Sequence, residues 1–183
     1  MNRLRSFLFV FSAILGVFHA GGLAQSFAPA SNVTDSSIEQ KVGKKLRNLM
    51  RSNVFDHITF RVNDGIVTLG GKVATFGTKN EAAGRVKGVD GVVQVINNIE
   101  QLPPSGFDDR IRLQALRTFV DRGPAQYFSD RNPDVRIIVE NGRMTLEGFV
   151  SSRSDRNTLN VLAHGINGVF QVTNNLIVGA RAY

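Results

Sequence analysis

The sequence predicts an α+β protein made of two tandem domains, each reading in order as helix, strand, strand, helix, strand. Three observations carry this expectation. The chain repeats itself: residues 56–99 align with residues 133–176 at a constant offset of 77, without a gap, and fourteen of the 44 aligned positions are identical. The identities are glycines, aliphatics and turn residues, among them Gly65/Gly142, Leu69/Leu146, Gly71/Gly148 and Asn97/Asn174. Shared backbone geometry demands these residue types, so the repeat reports a duplicated fold rather than a duplicated catalytic centre. Each copy also alternates helical and strand-like apolar spacing in the same order, with a tight-turn tripeptide at the same place.

The elements follow in order. Ser36 and Glu39 form a capping-box pair ahead of Ile38, Val42, Leu46, Leu49 and Met50, which are spaced for one helical face. Strands are expected around Ile58 to Val62 and Ile66 to Val73, joined by Asn63-Asp64-Gly65; the second copy has Glu140-Asn141-Gly142 there. Asp-Gly and Asn-Gly tolerate positive φ and mark hairpins. A second helix is expected from about Thr78 to Lys87, stopped by Gly88, and its counterpart from Ser154 as N-cap to Gly165. The last strands are expected at Val92 to Ile99 and Val169 to Val178. The domains thus span residues 34–100 and 107–180, and the proline-stiffened linker 101–106 is too short to let them separate far. Docking of one on the other would add the burial that small cores lack.

The amino terminus reads as an export signal. Arg3 and Arg5 precede an apolar run from Phe7 to Phe18, and Gly22 and Ala24 put small residues where a signal peptidase reads, which predicts a signal over residues 1–24 cut after Ala24. The run is shorter than the roughly 20 residues that span a bilayer. Residues 25–33, without periodicity, read as a flexible leader, and the expected location is periplasmic or otherwise extracytoplasmic. Cysteine is absent, which excludes a lipidated cysteine at the cleavage site and any disulfide framework. The net charge is +7 and the pI about 10.4, a balance that ordinarily suggests nucleic acid. Export argues against nucleic acid and for envelope polyanions, above all anionic phospholipid headgroups.

The repeated pattern V-x-[DN]-G-x-V-x-L-x-G-x-V, a short helix, then G-[VI]-x-G-V-x-x-V-x-N-x-[IL] resembles the BON domain (bacterial OsmY and nodulation). It runs from Val62 to Ile99 and again from Val139 to Leu176, with Met144 at a hairpin valine position. The resemblance implies the αββαβ fold, a three-stranded mixed sheet packed on two helices that share one face, and a non-catalytic envelope protein that binds phospholipid or similar surfaces and protects against osmotic or envelope stress. The alternative it leaves is a chaperone-like or scaffolding protein that holds other exported proteins.

Lipid-facing residues have to be sought on the helices. The first helix gathers Lys41, Lys44, Lys45, Arg47 and Arg51 within about a 160° arc, a basic face whose ordinary meaning is a solvated surface. The helix expected from about Asp108 to Asp121 carries more apolar surface than one sheet needs: Ile111, Ala115 and Phe119 on one side, with Leu116, Val120 and Leu113 continuing round it. Tyr127 and Phe128 follow on an insertion of four residues. These predict a peripheral membrane contact led by Leu113, Leu116, Val120, Tyr127 and Phe128 as an apolar wedge, with Arg110, Arg117 and Arg122 meeting headgroups. Docking against the first domain and a lid over the core are the competing readings of Tyr127 and Phe128. After Lys87 the chain has ten arginines and no lysine, and the planar guanidinium suits phosphate oxygens.

No catalytic pattern appears. His57 and His164 occupy non-equivalent positions without partners at metal spacing, and His164 suits a helix C-terminus. The run from Gly65 to Lys72 departs from a phosphate loop in spacing and in Val73, and its glycines belong to a hairpin. No enzyme activity, metal or cofactor is therefore expected. The paired Asn97-Asn98 and Asn174-Asn175 are expected to make structural hydrogen bonds.

Overall fold

The computed structural model describes residues 34–128 and 132–179. The expected signal, its cleavage after Ala24 and the leader lie outside the described residues. The first domain contains α1 (Asp35–Arg47), β1 (His57–Asn63), β2 (Ile66–Val73), α2 (Phe76–Lys87), β3 (Gln94–Asn97) and β4 (Glu100–Gln101). The second contains α3 (Gly106–Arg122), a 3-10 turn (Ala125–Phe128), β5 (Val135–Glu140), β6 (Arg143–Val150), α4 (Arg153–His164), β7 (Gln171–Asn174) and β8 (Ile177–Val178). In each, the first two strands form an antiparallel hairpin and the later ones run parallel to the second strand. Ile66 faces Gln94 and Lys72 faces Glu100, a single register, so β3 and β4 are the expected third strand in two segments. Asn97 makes the break by taking the Ile99 N–H on its Oδ1 at 3.3 Å, and Asn174 does the same for Leu176 at 3.1 Å.

Both hairpins turn through two consecutive left-handed residues, Asp64 (φ 49°) and Gly65 (φ 74°), then Asn141 (φ 52°) and Gly142 (φ 71°). A carboxylate from the first turn of each domain's leading helix holds them. Asp35 accepts from the N–H groups of Asp64 (2.8 Å) and Gly65 (3.0 Å), and Asp108 from Asn141 (2.9 Å) and Gly142 (2.8 Å).

Four local expectations need correction. The Ser36–Glu39 capping box does not form; the N-cap position falls two residues earlier, on Thr34, and Asp35 turns to the hairpin instead. Met50 is not on the buried face, because α1 ends at Arg47 and leaves Met50 81% exposed. Ser152, not Ser154, caps α4, accepting from the Asp155 N–H at 3.0 Å. The linker is also shorter than expected: Gln101 belongs to β4, and Leu102 is buried with its N–H on the Val73 carbonyl.

The helices bury their apolar faces on one side of each sheet. Ile38, Val42, Val67, Leu69, Val73 and Ala82 fill the first core; Ile111, Ala115, Phe119, Ile137, Leu146 and Leu159 fill the second. The domains are docked. The segment between α1 and β1 reaches across, so that Val54 is buried in the second core and its carbonyl accepts the Ile137 N–H at 2.8 Å. Arg136 donates to the Asn53 carbonyl at 2.8 Å, and Lys72 pairs with Glu140. The crossing segment keeps its shape through Asp56, which accepts from the N–H groups of Ala74 (2.7 Å) and Asn53 (3.0 Å). Burial pushes the Asp56 carboxyl above its ordinary value, against the opposing pull of those N–H groups and of Arg136.

Candidate membrane-contact site

The longest helix, α3, is built for its place. Ser105 caps it by accepting from the Asp108 N–H at 3.2 Å, Asp108 and Asp109 complement the positive end of its dipole, and Arg122 complements the negative end. Ile111, Ala115 and Phe119 recur at four-residue intervals and are buried against β5 and β6. The rest of the circumference divides in two. Toward the hairpin lie buried Asp108 and Arg112; toward solvent lie Leu113, 50% exposed, and Val120, 43% exposed, interleaved with exposed Arg110 and Arg117.

Beside this face runs α4, with Val161 70% exposed. Between the two helices is an open groove of about 650 Å³ lined by Arg110, Leu113, Arg117, Arg122, Val161 and Leu162. The structure therefore brings together Arg110, Leu113, Arg117 and Arg122, with Val120 on the same exposed side of α3. Leu116 is only partly available, since it packs on the second core.

Tyr127 and Phe128 do not join this surface, which corrects the wedge expectation for both. Each is only 6% exposed. The inserted residues fold as the 3-10 turn over the end of the core, where Phe128 stacks on Phe119 with ring centroids 5.5 Å apart. The Tyr127 hydroxyl donates to Asp155 Oδ2 at 2.7 Å and accepts from the Ser151 N–H at 2.9 Å. That hydroxyl, with the Ser152 cap, holds the Asp155 carboxyl below its ordinary value. A buried phenol with a satisfied hydroxyl is a lid, not a wedge.

Two exposed aromatics lie at the start of α3 and against it. Phe107, in the first turn of α3, is 40% exposed and stacks on Phe170, 78% exposed, at 6.1 Å. Their rings lie over two glycines: a Cβ on Gly142 would stand 2.5 Å from Phe170, and one on Gly168 would stand 3.0 Å from Phe107. The repeat held a signal for this pair. Phe170 aligns with Val93, which is 81% exposed, so this position sits outside the core in both copies.

The basic face of α1 is present but differently composed. Lys41, Lys44, Lys45 and Arg51 are exposed, Lys41 lies 3.9 Å from Asp90, and Arg47 is half-buried. Ile38 and Val42 are spent on the core, so this face offers cations, with exposed Met50 beyond its end. Near that end Glu81 accepts from the N–H groups of Met50 (2.9 Å) and Arg51 (3.1 Å); these overcome the effect of burial and hold its carboxyl below the ordinary value. His164 Nδ1 lies 2.8 Å from the Asn160 carbonyl, a contact within its own helix. Among the described residues no three His, Cys, Asp or Glu side chains gather as a metal site, and no helix is long and apolar enough to cross a membrane.

Comparison with known proteins bears on this arrangement. A sequence profile described as the BON domain matches residues 34–103 and 108–180. The outer membrane lipoprotein DolP of Haemophilus influenzae is 28% identical over 173 residues, covering 90% of this chain and 88% of that protein. Among solved structures, the C-terminal domain of CdsD, a structural protein of the type III secretion system of Chlamydia trachomatis, aligns at 13% identity. That alignment covers 77% of this chain and 96% of the other with a TM-score of 0.32, too distant a likeness to bear on function.

Proposed function

Because the chain belongs to the BON-domain family, matched twice along its length, we propose that it is a non-catalytic envelope protein whose second domain rests on anionic phospholipid through the exposed face of α3. One observation carries the reading. Leu113 and Val120 are half in solvent on a helix whose core-facing side is already fully buried, and Arg110, Arg117 and Arg122 flank them. Apolar side chains ringed by guanidinium groups suit a headgroup layer, where the chains enter the acyl boundary and the cations meet phosphate. Phe107 and Phe170 add a stacked, exposed apolar pair at the start of the same helix, on a different part of its circumference.

The likeness to an outer membrane lipoprotein supports an extracytoplasmic, envelope-associated location; a role in envelope integrity or osmotic stress protection is part of the same proposal. In this proposal the contact is made by side chains and is peripheral. Vesicle flotation tests the function. The protein is expected to float with phosphatidylglycerol-containing vesicles at low salt, to float less at high salt, and to stay down with phosphatidylcholine alone. Equal flotation with both lipids, or with neither, would contradict it.

A further inference from the structure

The two copies of the fold treat their outer strand differently. In the second domain the edge of β5 is closed. Val54 accepts the Ile137 N–H, Arg112 donates to the Val139 carbonyl at 2.5 Å, and Val135, Ile137 and Val139 are fully buried. In the first domain the register is the same, with Phe60 facing Leu69 as Ile137 faces Leu146. The outward amide of Phe60 and carbonyl of Val62 nevertheless find no such partners among the described residues. The helix position of Arg112 is occupied by Glu39, an acceptor that cannot cap a carbonyl, and that of Leu116 by Gly43. Ile58, Phe60 and Val62 are accordingly only half-buried.

A groove of about 970 Å³ lies along this open edge, with Gly43, Leu46, Ile58 and Phe60 on one wall and Arg136 and Phe149 of the second domain on the other. It is continuous with the seam between the domains, because Arg136 also holds the Asn53 carbonyl there. We propose that the β1 edge is a binding site for an extended peptide segment of another exported protein. The segment adds as a strand, its backbone pairing with Phe60 and Val62 and an apolar side chain lying against the half-buried Ile58 and Phe60. The chain's own Val54, seated on β5, is the pattern for such an occupant. This site is separate from the α3 face and goes beyond the lipid reading.

The second domain supplies the blocking variants. Gly43→Leu copies Leu116; a Cβ at Gly43 meets only the end of the Arg47 side chain at 3.2 Å and the Phe60 ring at 3.7 Å. Glu39→Arg copies the carbonyl cap at an exposed position. The probe is a fluorescein-labelled Ser-Val-Thr-Phe-Thr-Val-Ser peptide, followed by fluorescence anisotropy. Saturable binding to wild type is expected, weakened at least tenfold by either variant and by N-methylation of alternate peptide amides, with hydrogen-exchange protection gained at the Phe60 amide. Vesicle binding by both variants stays at the wild-type level, so the two readings fail separately. If Gly43→Leu loses its fold, Glu39→Arg decides alone. The proposal is overturned by absent saturable binding, by folded variants that bind as wild type, by an N-methylated peptide that binds equally, or by protection at β3 instead of Phe60.

Discussion

Replacing Arg110, Arg117 and Arg122 together by glutamine isolates the electrostatic half of the proposed membrane contact. All three are exposed, and none takes part in the salt bridges among the described residues. Glutamine has nearly the helix propensity of arginine, and surface changes of this kind usually alter stability by within about 0.5 kcal/mol. The variant should therefore melt with the wild type. A basic side chain near an anionic surface contributes about 1 kcal/mol, so three removed together lower affinity by on the order of 3 kcal/mol, roughly a hundredfold. Co-sedimentation with phosphatidylglycerol-containing vesicles at low salt measures this, and high salt should shrink the difference by screening. The matched control replaces Lys41, Lys44 and Lys45 by glutamine and is expected to cost much less, because α1 offers no apolar side chain between its cations. Full binding by the arginine variant with loss in the lysine control would move the site to the first domain.

Three other outcomes test the fold. Gly142→Val should lower the melting temperature of the second domain strongly, since a Cβ in the left-handed region costs about 1 kcal/mol or more and here also strikes the Phe170 ring; an unchanged melt would refute the turn geometry. Gly84→Ala, in α2 with nothing within 4 Å of the new methyl, should stabilise by about 1 kcal/mol, read as a higher urea midpoint, and a lower midpoint would contradict it. Asp56 gives a pH dependence: with its folded pKa raised by burial, the native state holds the proton more tightly than the unfolded chain. Its contribution is therefore fully present below the ordinary value of 3.8 and is lost as pH rises through the raised value. Urea titrations of wild type and Asp56→Asn should show the wild type losing ground to the variant as pH rises through that window; a wild type that instead gains on the variant as pH rises would contradict it.

The fold was legible wherever backbone geometry dictates residue type. Gly65 and Gly142 announce their hairpins because other residues are strained at φ near 70°, and Asn97 and Asn174 recur because each breaks a strand the same way. Helix starts were harder. Asp35 and Asp108 look like ordinary first-turn acids, and only the folded chain shows that both reach back to hairpin amides far along the sequence. The site was half legible for a related reason. Helical periodicity located Arg110, Leu113, Arg117 and Val120, but Tyr127 and Phe128 lie on an insertion without periodicity, where sequence does not separate lid from wedge. Phe107 and Phe170 are 63 residues apart and meet only because two glycines let the rings lie over the turn. Docking through Val54 was equally hidden, since it depends on an unmatched strand edge in the other domain.

Tryptophan fluorescence tests the membrane-facing surface most directly, because the chain has no tryptophan of its own and any introduced one reports alone. Leu113→Trp places the reporter on the exposed face of α3, and Met50→Trp places it beyond the basic helix of the first domain. On adding phosphatidylglycerol-containing vesicles, the emission of Leu113→Trp is expected to shift to the blue and become shielded from aqueous quencher, while Met50→Trp stays in water. A blue shift at position 50 with none at position 113 would contradict the assignment of the membrane face to the second domain.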